Sequence, residues 1–277
     1  MDLIQGIIIG IVQGLTEFLP VSSSAHLVFI QNILGVESSL AFDTFLHLGS
    51  LLAVLWFFRA DIIKMIKSWW LSIGDILQGR FRQGFHDDPY KRLAWYVILA
   101  TIPVGLVGVL FEDAVDSLFA GSLYVPAFFL FVTGTILYLS QRMTSGKINF
   151  HNVGVKESLF MGLGQACAIL PGLSRSGTTI AAGLVIGLDK EFAAKFSFIL
   201  SIPAILGAFI LQVKDIGSAL DVNFLPVFLG FVAAFIAGYA AIKWMLDLIQ
   251  KRSLDIFAYY CWVVGIVVFM GSIAHIF

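Results

Sequence analysis

The chain has 277 residues, of which 59% are hydrophobic and only 13% are charged, with a mean hydropathy of +0.93 and a net charge of -1. Soluble domains carry roughly 25% charged residues, so this composition excludes an ordinary soluble protein. It predicts an all-α integral membrane protein, with membrane lipids around it and no nucleic-acid partner. Cys167 and Cys261 lie in apolar stretches, which indicates neither a disulfide framework nor a metal cluster.

The first apolar region, residues 3–34, is interrupted near its middle by Pro20 and three serines, 22–24. Proline removes a helix hydrogen bond and serine favours turns. The region therefore predicts a helix-loop-helix segment that enters the membrane and returns to the same side. A signal peptide or an ordinary first span is the alternative, but the region has no basic start and its apolar core contains Glu17.

Six stretches are long and apolar enough to cross a bilayer as helices, which takes about 20 residues. They are 41–58, 93–111, 123–140, 196–213, 224–242 and 256–277. The stretch 60–92 places Trp69 and Trp70 among scattered bases, which predicts an amphipathic segment at the membrane interface. A second apolar region, 155–187, is broken by Pro171 and a cluster of Ser, Gly and Thr, so a second re-entrant segment is predicted.

The pattern predicts a single membrane domain, 1–277, made of two repeats, 1–145 and 150–277. Each repeat has one broken segment followed by three spans, and an odd number of crossings inverts the second copy in the membrane. Three positions recur 152 residues later: Gly10, Gln13 and Gly35 match Gly162, Gln165 and Gly187. In this topology nearly all Lys and Arg fall on the cytoplasmic side, as the positive-inside rule requires.

Glu17 and Arg175 are charges within these apolar segments, where each costs roughly 2.5 to 3.5 kcal/mol, so both are candidate functional residues. If the two broken segments dip in from opposite faces, their loops meet. Helix N-termini and the Arg175 guanidinium then form a pocket for phosphate. Further candidates for phosphate binding are Ser22, Ser174, Ser176, Gly177 and Thr178. The alternative is a kinked helix in which Arg175 pairs with Glu17 as a structural bridge.

Gln13 and Glu17 are four residues apart and share one face of a helix. Their oxygens could hold a divalent cation, Mg²⁺ or Ca²⁺, which would be shared with the phosphates of a substrate. His26 lies three residues after Ser23 and can act as an acid or a base near neutral pH. Asp43 and His47 are interpreted as a pair at the membrane edge or as support for the site.

The run Gln13–His26, together with the run Pro171–Thr179, closely resembles the undecaprenyl-diphosphate phosphatase family, also called bacitracin resistance proteins, and the resemblance covers essentially the whole chain. It implies a membrane enzyme that removes the terminal phosphate from a C55 polyprenyl diphosphate. That reaction recycles the lipid carrier for cell-wall polymers and confers bacitracin tolerance. Gln13 stands where many members have Glu, and Ala25 replaces the usual Gly.

By motif position, Glu17 and Gln13 match the acidic motif of the family, Ser22, Ser23 and His26 its nucleophile region, and Ser174, Arg175, Ser176 and Thr178 its phosphate-binding loop. The expected catalytic residues are Glu17, Ser23, His26 and Arg175.

In the expected mechanism, Ser23 attacks the terminal phosphate with His26 as base. A metal-activated water at Glu17, or His26 as the nucleophile, remains an alternative. The resemblance places the protein in the cytoplasmic membrane with its site open to the extracytoplasmic side, and a homodimer is compatible with it. The alternative function is a polyprenyl-phosphate flippase or transporter, which the inverted repeat suggests.

Overall fold

The computed structural model describes residues 1–37, 40–111, 123–220 and 224–274, and for Leu40 and 213–220 only the backbone. The described chain is almost entirely helical. Its helices are α1 (Leu3–Phe18), α2 (Ser23–Leu34), α3 (Leu40–Phe57), α4 (Arg59–Leu77), α5 (Phe81–Asp87), α6 (Pro89–Leu110), α7 (Tyr124–Met143), α8 (Val155–Cys167), α9 (Arg175–Val185), α10 (Lys190–Leu220), α11 (Phe224–Lys251) and α12 (Asp255–Ile273).

Both predicted breaks are present as helix-loop-helix segments. A short loop, 19–22, separates α1 from α2, and a longer one, 168–174, separates α8 from α9. Pro20 and Pro171 lie in these loops, where their missing N–H costs no helical hydrogen bond. The return of each pair to the same membrane face stays a prediction.

Five helices are long and apolar enough to span a membrane: Pro89–Leu110, Tyr124–Met143, Lys190–Gln212, Phe224–Lys251 and Asp255–Ile273. They correspond to five of the six predicted spans, except that residues 275–277 of the last prediction lie outside the described chain. The remaining predicted span, 41–58, is α3, which meets α4 at a bend of 80° and forms with it a sixth candidate span. The protein is therefore an all-α, multi-pass membrane protein, as predicted.

Each half of the chain contains a broken helical segment followed by long apolar helices. The division into two repeats, 1–145 and 150–277, and their inverted relation both stay predictions. The segment predicted to lie at the interface, 60–92, is helical through most of its length, in α4, α5 and the start of α6.

Helix α1 packs against α11 along a line of glycines. A Cβ atom added at Gly10 would lie 2.1 Å from the Gly230 carbonyl oxygen, and one at Gly6 would lie 2.5 Å from that of Pro226. Such close backbone contact between membrane helices requires small residues. The line continues through Gly14, so the packing sets the depth of Glu17, which follows one turn later.

We expect Gly10→Ala to destabilise the protein by about 1 to 3 kcal/mol, because the added methyl group meets the backbone of α11 and forces the helices apart. The measurement is thermal unfolding in detergent. Gly105→Ala in α6 is the matched control, because an added Cβ there has nothing within 4 Å. The control should unfold at or above the wild-type temperature, and equal unfolding temperatures for Gly10→Ala and wild type would contradict the packing argument.

Candidate active site

The loops of the two broken segments contact each other. The Gly172 backbone N–H donates to Ser24 Oγ at 3.3 Å, and Ser176 Oγ donates to the Leu19 carbonyl oxygen at 3.0 Å. These bonds join residues about 150 positions apart in the sequence. The structure thus brings the two serine-rich runs together, as the site prediction requires.

Each loop ends in a serine that caps the following helix. Ser22 Oγ accepts from the Ala25 N–H at 3.3 Å, and Ser174 Oγ accepts from the Gly177 N–H at 3.0 Å. As a result, α2 begins at Ser23 and α9 begins at Arg175. Ser23 and Arg175 therefore both lie where the start of a helix offers free N–H groups and a partial positive charge to an anion.

Ser22 has a φ of 69° and is the only non-glycine residue of the described chain with a positive φ. An L-residue in this region is strained, and such strain is typical of sites where surrounding contacts enforce one geometry. Here the strained residue directly precedes Ser23, whose hydroxyl bonds to Glu17.

Glu17 is the centre of the site and is only 6% exposed. Arg175 Nη2 donates to Glu17 Oε1 at 2.8 Å, while Ser23 Oγ donates to Oε2 at 2.7 Å. Gln13 Nε2 also donates to Oε2, at 3.0 Å. The other terminal guanidinium nitrogen of Arg175, Nη1, donates to the Ser197 carbonyl oxygen at 3.1 Å. One buried carboxylate thus holds both the candidate nucleophile and the candidate phosphate-binding cation.

His47 also lies against Glu17, with its Nε2 3.6 Å from Oε2. Its Nδ1 donates to the Asp43 carbonyl oxygen at 2.7 Å, and the Asp43 carboxylate accepts from Gln31 Nε2 at 2.6 Å. The sequence predicts two possible roles for Asp43 and His47, a pair at the membrane edge or support for the site. It does not predict the contact between His47 and Glu17. That contact depends on how α3 packs beside α1.

His26 is held by two hydrogen bonds. Its Nδ1 donates to the Ser22 carbonyl oxygen at 2.8 Å, and its Nε2 lies 2.8 Å from the hydroxyl of Tyr260, whose ring stacks on the imidazole. Since Nδ1 carries a proton, Nε2 of a neutral ring accepts from Tyr260. In this geometry the Ser23 hydroxyl bonds to Glu17. Tyr260 is 234 residues from His26 and carried no sequence signal.

The second loop and the start of α9 form the predicted phosphate-binding region. Ser174 Oγ and Ser176 Oγ lie 3.3 Å apart, and a Cβ at Gly177 would be 3.0 Å from that of Ser174. Thr178 Oγ1 is buried and has no hydrogen-bond partner in the described chain. The loop is compact, with small residues close to the backbone.

The residues fit a cation only as a site shared with a ligand. Gln13 Oε1 is buried next to Glu17 and lacks a hydrogen-bond partner within the described ranges. In the same ranges no group of three or more His, Cys, Asp or Glu could hold a metal. Since Mg²⁺ takes six oxygen ligands, phosphate oxygens and water would have to supply most of them.

Comparison with known proteins finds one matching family and several similar proteins that share one name. The family model described as bacitracin resistance protein BacA matches residues 6–267. A protein of Methanobrevibacter smithii named undecaprenyl-diphosphatase is 80% identical over the full length of both chains. Relatives with the same name in Methanosphaera stadtmanae and Carboxydothermus hydrogenoformans are 47% and 40% identical, over 99% and 97% of both chains.

Proposed function

The chain belongs to the bacitracin resistance protein family, and from this membership we propose that it hydrolyses undecaprenyl diphosphate to the monophosphate and inorganic phosphate. The observation that carries the chemistry is the shared carboxylate of Glu17, which binds Ser23 and Arg175 inside a membrane protein. The reaction returns the lipid carrier to cell-wall polymer synthesis, and the same activity accounts for bacitracin tolerance.

The first chemical step is attack by Ser23 Oγ on the terminal phosphorus. The hydroxyl proton passes to Glu17 Oε2, to which it is already hydrogen-bonded. The new Oγ–P bond forms while the bond from phosphorus to the bridging oxygen breaks, and undecaprenyl monophosphate leaves. Phosphoryl transfer depends mainly on positioning and charge stabilisation, which Arg175 and the N-termini of α2 and α9 supply.

The second step releases inorganic phosphate from Ser23. A water molecule attacks the phosphoserine, the Oγ–P bond breaks, and Ser23 Oγ takes back the proton that Glu17 accepted in the first step. His26 takes the proton of that water, for which its Nε2 must leave the Tyr260 hydroxyl. Two rival routes are direct attack on phosphorus by water and attack by His26. Trapping phosphate on a residue of the protein would separate the covalent routes, through Ser23 or His26, from the water route.

A divalent cation, Mg²⁺ or Ca²⁺, held by Gln13 Oε1, Glu17 and the diphosphate, would neutralise phosphate charge. We therefore expect a chelator to lower phosphate release more than about tenfold, a loss of the size that several kcal/mol of charge stabilisation allows. Added Mg²⁺ should restore the rate. The measurement is phosphate release by the purified protein. A rate that is unchanged by chelation would leave Arg175 and the helix N-termini as the whole phosphate site.

The exposed apolar side chains of the spanning helices suit contact with membrane lipids and with the polyprenyl chain. We place the protein in the cytoplasmic membrane with its site open to the extracytoplasmic side, and a homodimer remains compatible with these surfaces. The decisive experiment supplies purified protein with a long-chain polyprenyl diphosphate. Hydrolysis predicts one phosphate released per lipid, whereas the flippase alternative predicts lipid movement in vesicles without phosphate release.

A further inference from the structure

The imidazole of His26 has both of its ring nitrogens engaged. Nδ1 lies 2.8 Å from the Ser22 carbonyl oxygen, which can only accept, so Nδ1 carries a proton. Nε2 of the neutral ring is then an acceptor, and the Tyr260 hydroxyl donates to it at 2.8 Å. A general base must be within hydrogen-bond reach of the proton that it takes, and the single lone pair of Nε2 is already occupied. His26 is therefore closed as a base while Tyr260 holds it.

Tyr260 reaches His26 because α12 contacts the first loop. The next residue, Cys261, is buried, and its Sγ donates to the Pro20 carbonyl oxygen at 3.6 Å. The Tyr260 ring stacks on the imidazole, with centroids 5.6 Å apart and an angle of 11° between the planes. Two separable contacts thus hold the imidazole, the stacked ring and the hydroxyl. Tyr260 is 43% exposed, so its phenol has open space at the surface of α12 into which it can turn.

The Ser23 hydroxyl faces the other base of the site, since it donates to Glu17 Oε2 at 2.7 Å. The two candidate bases therefore hold different hydroxyl protons: Glu17 holds that of Ser23, and His26 holds that of Tyr260. Ser23 and His26 lie within one turn of α2, yet in this arrangement only Glu17 is placed to take the proton of Ser23. The hydroxyl of Tyr260 thus separates the tasks of the two bases.

We propose that Tyr260 is a positioning residue that reserves His26 for the second step of the reaction. The inference rests on the proposed function, because it requires a phosphoserine at Ser23. In the first step Nε2 stays bonded to Tyr260, and the proton of Ser23 goes to Glu17. In the second step the phenol turns away and Nε2 takes a proton from the attacking water. The water oxygen bonds to phosphorus, the Oγ–P bond breaks, and Oγ takes back its proton from Glu17.

Tyr260→Phe tests this role, because it removes the hydroxyl and keeps the stacked ring. The second step should become about twofold to tenfold faster, since one hydrogen bond between neutral groups no longer has to be broken. The first step should keep its wild-type rate. A rapid-quench experiment with a polyprenyl diphosphate labelled in its terminal phosphate measures both rates, as the formation and the decay of labelled protein. Faster decay is the opposite of what loss of a merely structural contact would cause.

Tyr259→Phe is the matched control. Tyr259 is the neighbouring tyrosine of α12 and is 51% exposed, but its ring lies against Tyr138 and Trp262. Neither rate should change in this variant. A double variant, His26→Ala with Tyr260→Phe, should decay no faster than His26→Ala alone, because the hydroxyl acts only through the imidazole.

The proposal is overturned if Tyr260→Phe slows the decay of labelled protein, leaves it unchanged, or speeds it equally when His26 is absent. Thermal unfolding should give the same temperature for Tyr260→Phe, Tyr259→Phe and wild type. Phosphate release by the wild-type protein without any labelled protein would refute the serine route, and with it this role of Tyr260. Absence of phosphate release by the wild-type protein would instead refute the proposed function.

Discussion

Replacement of Arg175 by lysine is expected to lower kcat/KM for the polyprenyl diphosphate by about a hundredfold to a thousandfold, the loss that follows removal of one donor from a charge-stabilising site. Lysine keeps the positive charge beside Glu17 but lacks the planar fork that reaches Glu17 and the Ser197 carbonyl oxygen at once. Steady-state phosphate release with purified protein measures the effect, and thermal unfolding shows whether the fold is retained.

Arg142→Lys is the control for the loss of a guanidinium in general. Arg142 pairs with Asp255 at 3.1 Å and is half exposed, away from both loops. This substitution should change kcat/KM by less than about twofold, because exposed ion pairs contribute little. If Arg175→Lys behaves like the control, Arg175 serves the fold as a bridge to Glu17, and the phosphate must be held elsewhere.

Ser23→Ala is expected to lower kcat by at least about a thousandfold, since removal of a nucleophile abolishes the covalent route and leaves only the binding groups. The expected cause is loss of the Oγ atom that attacks phosphorus, and Glu17 also loses one of its donors. A rapid-quench experiment with labelled diphosphate should detect phosphate bound to the wild-type protein and none bound to the variant.

Ser24→Ala is the neighbouring control. Ser24 Oγ accepts from the Gly172 N–H, so its removal weakens contact between the loops and should reduce kcat by no more than about tenfold. Full activity in Ser23→Ala would eliminate the serine route. Water activated at Glu17 and attack by His26 would then remain as the two mechanisms.

The sequence predicted the spanning helices because apolar length alone decides whether a segment can cross a bilayer. It also predicted both breaks, because proline and clustered serines interrupt a helix in a recognisable way, and it identified Glu17 and Arg175 by the cost of charge in lipid. The bend between α3 and α4 was not predicted, since it depends on how the two helices pack.

Contacts between distant helices were the least predictable part of the site. Ser23 was paired with His26 because they are three residues apart, yet in the structure its hydroxyl bonds to Glu17. The direction of a side chain at a helix start depends on the backbone before it, here the strained Ser22. Tyr260 reaches the site only through the packing of α12, for which the sequence has no local signature.

The ion pair between Glu17 and Arg175 also affects which lipids can compete for the site. A membrane contains a large excess of phospholipids whose phosphodiester carries a single negative charge. Such a headgroup gains little by displacing a carboxylate of equal charge from Arg175. The terminal phosphate of a diphosphate lipid brings more charge and more acceptor oxygens, so it can make that exchange. The internal salt bridge therefore excludes the commonest anions of the bilayer while it admits a rare one.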